Sequence, residues 1–129
     1  MKPLFVFVFF FALPSLAYGQ TYHSACEDDP QIFKLDTFAL TKGSLTLTEV
    51  AILAKGKDVC ANGIPERRVE NSDTVKLFFQ DFIFACVQHG DEKRIAAARL
   101  TSTPQHVIGK FQGLENNLIM LNDCEFEDF

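Results

Sequence analysis

The sequence predicts an all-α fold, a small irregular bundle of five or six short helices with two disulfides. Three observations carry that expectation. Apolar residues recur at helical spacing in several stretches, helix-start chemistry precedes those stretches, and four cysteines lie far apart in a chain of 129 residues.

Met1 to Gly19 reads as an export signal. Lys2 precedes an apolar run from Pro3 to Leu16 that holds five of the fourteen phenylalanines, and Ala17-Tyr18-Gly19 places small residues at −1 and −3 of a cut before Gln20. That run is too short for a stable membrane anchor. The remainder, 20–129, is expected to be a single exported helical domain in the periplasm or outside the cell, with no membrane association after cleavage.

A first helix starts at Asp29-Pro30, where a cap precedes a proline, carries Ile32, Leu35, Phe38 and Ala39 on one face, and stops at Lys42-Gly43. The second has the best-specified start in the chain. Thr46 and Glu49 form a capping box, Leu45 and Val50 a hydrophobic staple, and the helix should run from about Leu47 toward Lys57. Residues 61–70 contain Asn62-Gly63, Ile64-Pro65 and Glu66-Arg67-Arg68, which is loop chemistry and the longest exposed connection.

A third helix begins near Ser72 or Asp73. Val75, Phe78, Phe79, Phe82, Ile83, Cys86 and Val87 cover one broad face while Leu77 and Phe84 lie behind it, so this helix is central. Asp91 after Gly90 caps a fourth helix with Ile95, Ala97 and Ala98 inward, and Thr103-Pro104 starts a fifth with Val107, Ile108 and Phe111 on one face. Leu114 to Asn122 fits helix or strand by periodicity, and helix is the expectation.

The charge is −5 from 12 basic and 17 acidic residues, and loss of Lys2 makes it more negative. Nucleic acid is disfavoured, because Arg67-Arg68 and Lys93-Arg94 are isolated pairs and not a stripe. Cys26, Cys60, Cys86 and Cys124 have neither C-x-x-C spacing nor paired histidines, which argues for disulfides and against zinc. Three pairings are open. Charge ranks Cys26–Cys60 with Cys86–Cys124 first, since Cys26–Cys124 would gather the acidic stretches beside both cysteines at one pole. Dispersed His23, His89 and His106 suggest no metal site, and no cofactor is expected. The absence of any Asn-x-Ser/Thr acceptor leans toward a bacterial periplasm.

Cys86, His89 and Asp91 resemble the Cys-x-x-His-Asp helix of secreted phospholipases A2, in which the histidine activates water. Gly90 interrupts the pattern and no calcium loop precedes it, so a hydrolase using His89 and Asp91 is an alternative and the chain is expected to be no enzyme. Gln105, Val107 and Gly109 match the Gln-x-Val-x-Gly hairpin of cystatin-type inhibitors in the wrong context, after three cysteines and without a tryptophan. The acidic stretches beside Cys26 and Cys124 lack EF-hand spacing. A small carrier is a further alternative, if Phe78, Phe79, Phe82 and Phe84 line a hollow bundle.

Residues 58–111 resemble the small periplasmic immunity proteins that neutralise type VI secretion amidase effectors. The matching features are a cysteine shortly before Ile64-Pro65, then Val69, an apolar helix, His89 with Glu92, Ala96-Ala97-Ala98 and a final apolar helix with Phe111 before the last cysteine. The resemblance implies a helical, disulfide-bonded, non-enzymatic protein that occludes the cleft of a secreted cell-wall amidase. It directs attention to Ile64, Glu66, Arg67 and Arg68 as the partner-binding loop, with a homodimer left open.

Overall fold

A mixed seven-stranded sheet, not a helical bundle, forms the body of the protein. The computed structural model describes Cys26 and residues 29–128; the expected export signal over Met1 to Gly19, residues 20–25, the acidic pair Glu27-Asp28 and Phe129 lie outside the described residues. In chain order the elements are β1 (Ile32–Lys34), α1 (Thr37–Lys42), α2 (Leu47–Leu53), β2 (Asp58–Gly63), β3 (Pro65–Glu70), β4 (Thr74–Phe79), a 3₁₀ turn (Gln80–Phe82), β5 (Phe84–His89), α3 (Glu92–Ala97), β6 (Gln105–Glu115) and β7 (Leu118–Asp128). The order across the sheet is β1-β2-β6-β7-β5-β4-β3. β1 runs parallel to β2 and β5 parallel to β7, and the other neighbours are antiparallel.

The all-α expectation fails where apolar residues serve two faces of a strand. In β4, Val75, Leu77 and Phe79 are buried while Thr74, Lys76 and Phe78 are half-buried, the period of two that belongs to a strand. β5 is buried from Phe84 to Gln88, so its apolar run contains no face to read. These two strands replace the expected central helix. Residues 61–70 are not a loop: they are the end of β2, Ile64, and β3. Gln105 to Glu115 and Leu118 to Asp128 form a long hairpin in place of the two last helices, joined by Asn116 and Asn117, both at positive φ as a two-residue hairpin turn requires.

Three helix signals hold. α2 has the reciprocal capping box of Thr46 and Glu49, although it ends at Ala54, short of Lys57. α3 is capped by Asp91, whose carboxylate accepts from the backbone of Lys93 and Arg94. α1 stops at Gly43, but it starts only at an Asp36 cap, because Ile32 to Lys34 pair with β2 first.

One link dictates the shape of the sheet. Only Ile64 separates β2 from β3, and one intervening residue spans at most about 7 Å between flanking Cα atoms. Five strand spacings lie between those strands in the sheet order, which is about 24 Å if the sheet were flat. The sheet therefore rolls until β3 returns to the end of β2. At the junction, a Cβ added to Gly63 would stand 3.4 Å from the rings of Phe79 and Phe84, and Gln80 N donates to Ile64 O at 2.9 Å.

The inside of the roll is the main core. Val59, Ala61, Val75, Leu77, Phe79, Phe84, Cys86, Val107, Ile119 and Leu121 meet there, joined by Val50 and Ala54 of α2. Phe79 and Phe84 stack at 4.4 Å, so two of the four phenylalanines expected to line a hollow fill the core, while Phe78 and Phe82 lie outside it. Full burial of each large side chain contributes roughly 1.5–3 kcal/mol.

Two disulfides close, Cys26–Cys60 and Cys86–Cys124. The second sits at a bulge where Asp123 takes φ 50° and the β6–β7 register shifts between Ile108 and Lys110. Beyond Asn122, β7 no longer pairs with β5. The buried Gln88 side chain fills the missing ladder: its Oε1 accepts from Cys124 N at 2.6 Å and its Nε2 donates to Cys124 O at 3.0 Å. A second shift between Phe111 and Gly113 bends the far end of the hairpin, and Glu115 consequently reaches Lys76 at 3.6 Å although β5 and β7 stand between their strands.

Candidate functional site

β3 is the last strand of the sheet, and it carries all but one of the expected partner-binding residues. Ile64 itself precedes the strand, half-buried, with its carbonyl engaged by Gln80. A register shift between Pro65 and Arg67 sets Glu66 in a bulge, exposed. Arg67 pairs with Phe78 and Arg68 with Leu77, so successive arginines leave the strand on opposite faces.

Arg68 is structural. Its strand partner Leu77 belongs to the core face, and its Nε donates to the carbonyl of Ala98 at 2.6 Å, closing the C-terminus of α3. Glu70 lies 3.5 Å from its guanidinium. Arg67 instead faces outward, exposed, with its guanidinium 5.9 Å from the Phe78 ring centroid. Phe78 meets Phe82 edge-on at 6.0 Å.

Phe82 is the residue that sequence reasoning misplaced. The expected helix put it on a buried face, yet it is 52% exposed. Asp81 and Phe82 have φ 63° and 51°, the left-handed region, where a bulky side chain is uncommon and costs free energy. No glycine or asparagine marks these positions in the sequence. The outcome is a compact corner of one guanidinium and two aromatic rings.

The hydrolase alternative loses its geometric premise. Cys86 and His89 stand three apart on a strand, which sends their side chains to opposite faces, and Cys86 is bonded to Cys124. His89 Nδ1 contacts Asp123 Oδ1 at 3.2 Å, with Arg94 at 3.9 Å from the same oxygen, while Asp91 is occupied as the α3 cap. Among the described residues no three His, Cys, Asp or Glu side chains converge as a metal site would require. Gln105, Val107 and Gly109 lie within β6, not at a hairpin tip. Gly109 is needed there for space: a Cβ would come within 2.5 Å of Cys124 Sγ.

No protein-family model matches the chain, and no curated protein matches it.

Proposed function

We propose that this chain is a non-enzymatic exported binding protein whose contact with a protein partner centres on Arg67, Phe78 and Phe82. The observation that carries the reading is the conformation at Asp81-Phe82. Two consecutive non-glycine residues are held at positive φ, at a cost of order 1–3 kcal/mol each, and the result is a phenyl ring held half in solvent. Interface anchors draw disproportionately on aromatic residues and arginine, and this corner supplies both: Arg67 on the edge strand β3 meets Phe78 on β4, which meets Phe82 in the turn that follows.

Two disulfides support an oxidising compartment, periplasmic or extracellular. The specific form of the reading, an immunity or inhibitor protein against a secreted cell-wall amidase, rests on the sequence resemblance alone. That resemblance implies a helical body, and the body here is mainly β. The binding role itself needs only the corner.

A photo-crosslinking residue at position 82 of the exported chain tests the proposal, with position 52 on α2, 70% exposed as isoleucine, as the control. One stoichiometric protein adduct is expected from position 82 and not from 52, and Arg67→Glu should reduce its yield at least tenfold, about 1.4 kcal/mol of binding. No adduct, or an equal yield from both positions, overturns the reading.

A further inference from the structure

The open edge of β3 carries a second feature, which does not depend on the reading of the Arg67 corner. Two bonds fix which backbone groups of that strand are already engaged. Asn71 N donates to Thr74 O at 2.9 Å across the β3–β4 turn, so in the register that continues from that pair Val69 with Lys76 and Arg67 with Phe78 are the hydrogen-bonded pairs. Gly90 N donates to Asp73 O at 2.9 Å, which by the same alternation turns Val75 and Leu77 toward β5. The two parities agree. The N–H and C=O of Arg68 and Glu70 therefore point away from β4, and among the described residues no backbone group bonds to them.

We propose that this edge pairs with the same edge of a second copy of the chain, antiparallel about a two-fold axis at Val69. Three registers engage the free groups of Arg68 and Glu70. One sets Arg68 opposite Arg68 and another Glu70 opposite Glu70, and like charges directly opposite destabilise a sheet. In the third, Arg68 of each copy stands opposite Glu70 of the other, and Val69 meets Val69 in the closer, non-hydrogen-bonded pair on the axis. Residues 68–70 are thus complementary to themselves in one register alone, as a two-fold interface requires.

The side chains fit that pairing. Arg68 and Glu70 lie on one face of β3, 3.5 Å apart within the chain, so the charges of two copies alternate in sign around the axis. The guanidinium is a fork of several donors; Nε is taken by Ala98 O, and the terminal nitrogens beside Glu70 retain N–H groups for a second carboxylate. Pro65 and the bulge at Glu66 keep the other end of the strand out of the seam, and a two-fold pairing uses up the edge on both copies, so assembly stops at a dimer. A ladder confined to residues 68–70 belongs to the small, reversible class of interface, which forms at high concentration and dissociates on dilution. The axis stands perpendicular to the joined sheet, and both Arg67 side chains leave it on the same face.

Sedimentation of the full exported chain with its disulfides intact tests the proposal. A dimer is expected at about 0.5 mM and a monomer at about 5 µM. Glu70→Arg, which sets a cation opposite Arg68, should weaken association at least tenfold, and circular dichroism checks that the fold is kept. A single cysteine reads the register. Val69→Cys should give a covalent dimer under mild oxidation, because the axis brings those Cα atoms to about 4.5 Å, within disulfide reach, whereas Arg67→Cys on the same strand should not. Peptide mapping separates a bridge between the two copies at position 69 from exchange with the native disulfides. A monomer at about 0.5 mM, association unchanged in Glu70→Arg, cross-linking from position 67 as efficient as from 69, or capture of a different protein alone by a photo-crosslinker at position 69 overturns the proposal.

Discussion

The two disulfides close loops of nearly equal length, with sequence separations of 34 and 38, so chain entropy alone assigns each about 4 kcal/mol. Their surroundings differ. Cys86–Cys124 lies in the middle of the core cluster, under Gly109 and beside the Gln88 side chain that completes the bulge. Cys26–Cys60 ties an early residue of the chain to β2, next to the three-residue β1 at the thin side of the sheet. One bridge is built into the packing and the other is fastened to its margin. Equal covalent loops therefore should not have equal consequences.

The sharpest test is to remove each pair. Cys86→Ala with Cys124→Ala should lose about 5–6 kcal/mol in urea unfolding, the loop entropy plus the packing of two buried sulfurs, and Cys26→Ala with Cys60→Ala about 3–4. Equal losses would refute the packing contribution. Gly109→Ala is expected to destabilise by about 2–3 kcal/mol, because its Cβ meets Cys124 Sγ and the neighbouring β7 backbone; the effect should shrink in the Cys86→Ala, Cys124→Ala background, which relieves the clash. Gln88→Leu keeps the volume but strands the Cys124 N–H and C=O, at about 2 kcal/mol, and hydrogen exchange at Cys124 should accelerate with it.

The same contrast between margin and interior governs how much could be read from the sequence. Helix starts are local: the Thr46 and Glu49 box and the Asp91 cap each need only a few consecutive residues, and both hold. β4 and β5 are not local. Phe78, Phe79, Phe82 and Ile83 satisfy a 3.6 period as well as Val75, Leu77 and Phe79 satisfy a period of two, and only the neighbouring strands decide. Asn116-Asn117 was a legible hairpin signal, since two adjacent asparagines tolerate the positive φ that such a turn demands.

The candidate site divides in the same way. Glu66 and Arg67 are legible as exposed charges, and they are exposed. Arg68 looks equivalent in sequence and differs entirely in role, because strand alternation turns it toward α3. Phe82 owes its exposure to two left-handed residues with no compositional marker, and the Lys76 to Glu115 bridge to a bend 35 or more positions along the chain. Neither has a signature within any short window.

The place of β7 in the sheet order constrains how the molecule can be made. Three strands stand on each side of it, β1-β2-β6 and β5-β4-β3, and it is the final strand of the described residues. Until that keystone is in place the two halves have nothing between them to zip onto, so closure of the sheet waits on the latest strand of the described residues.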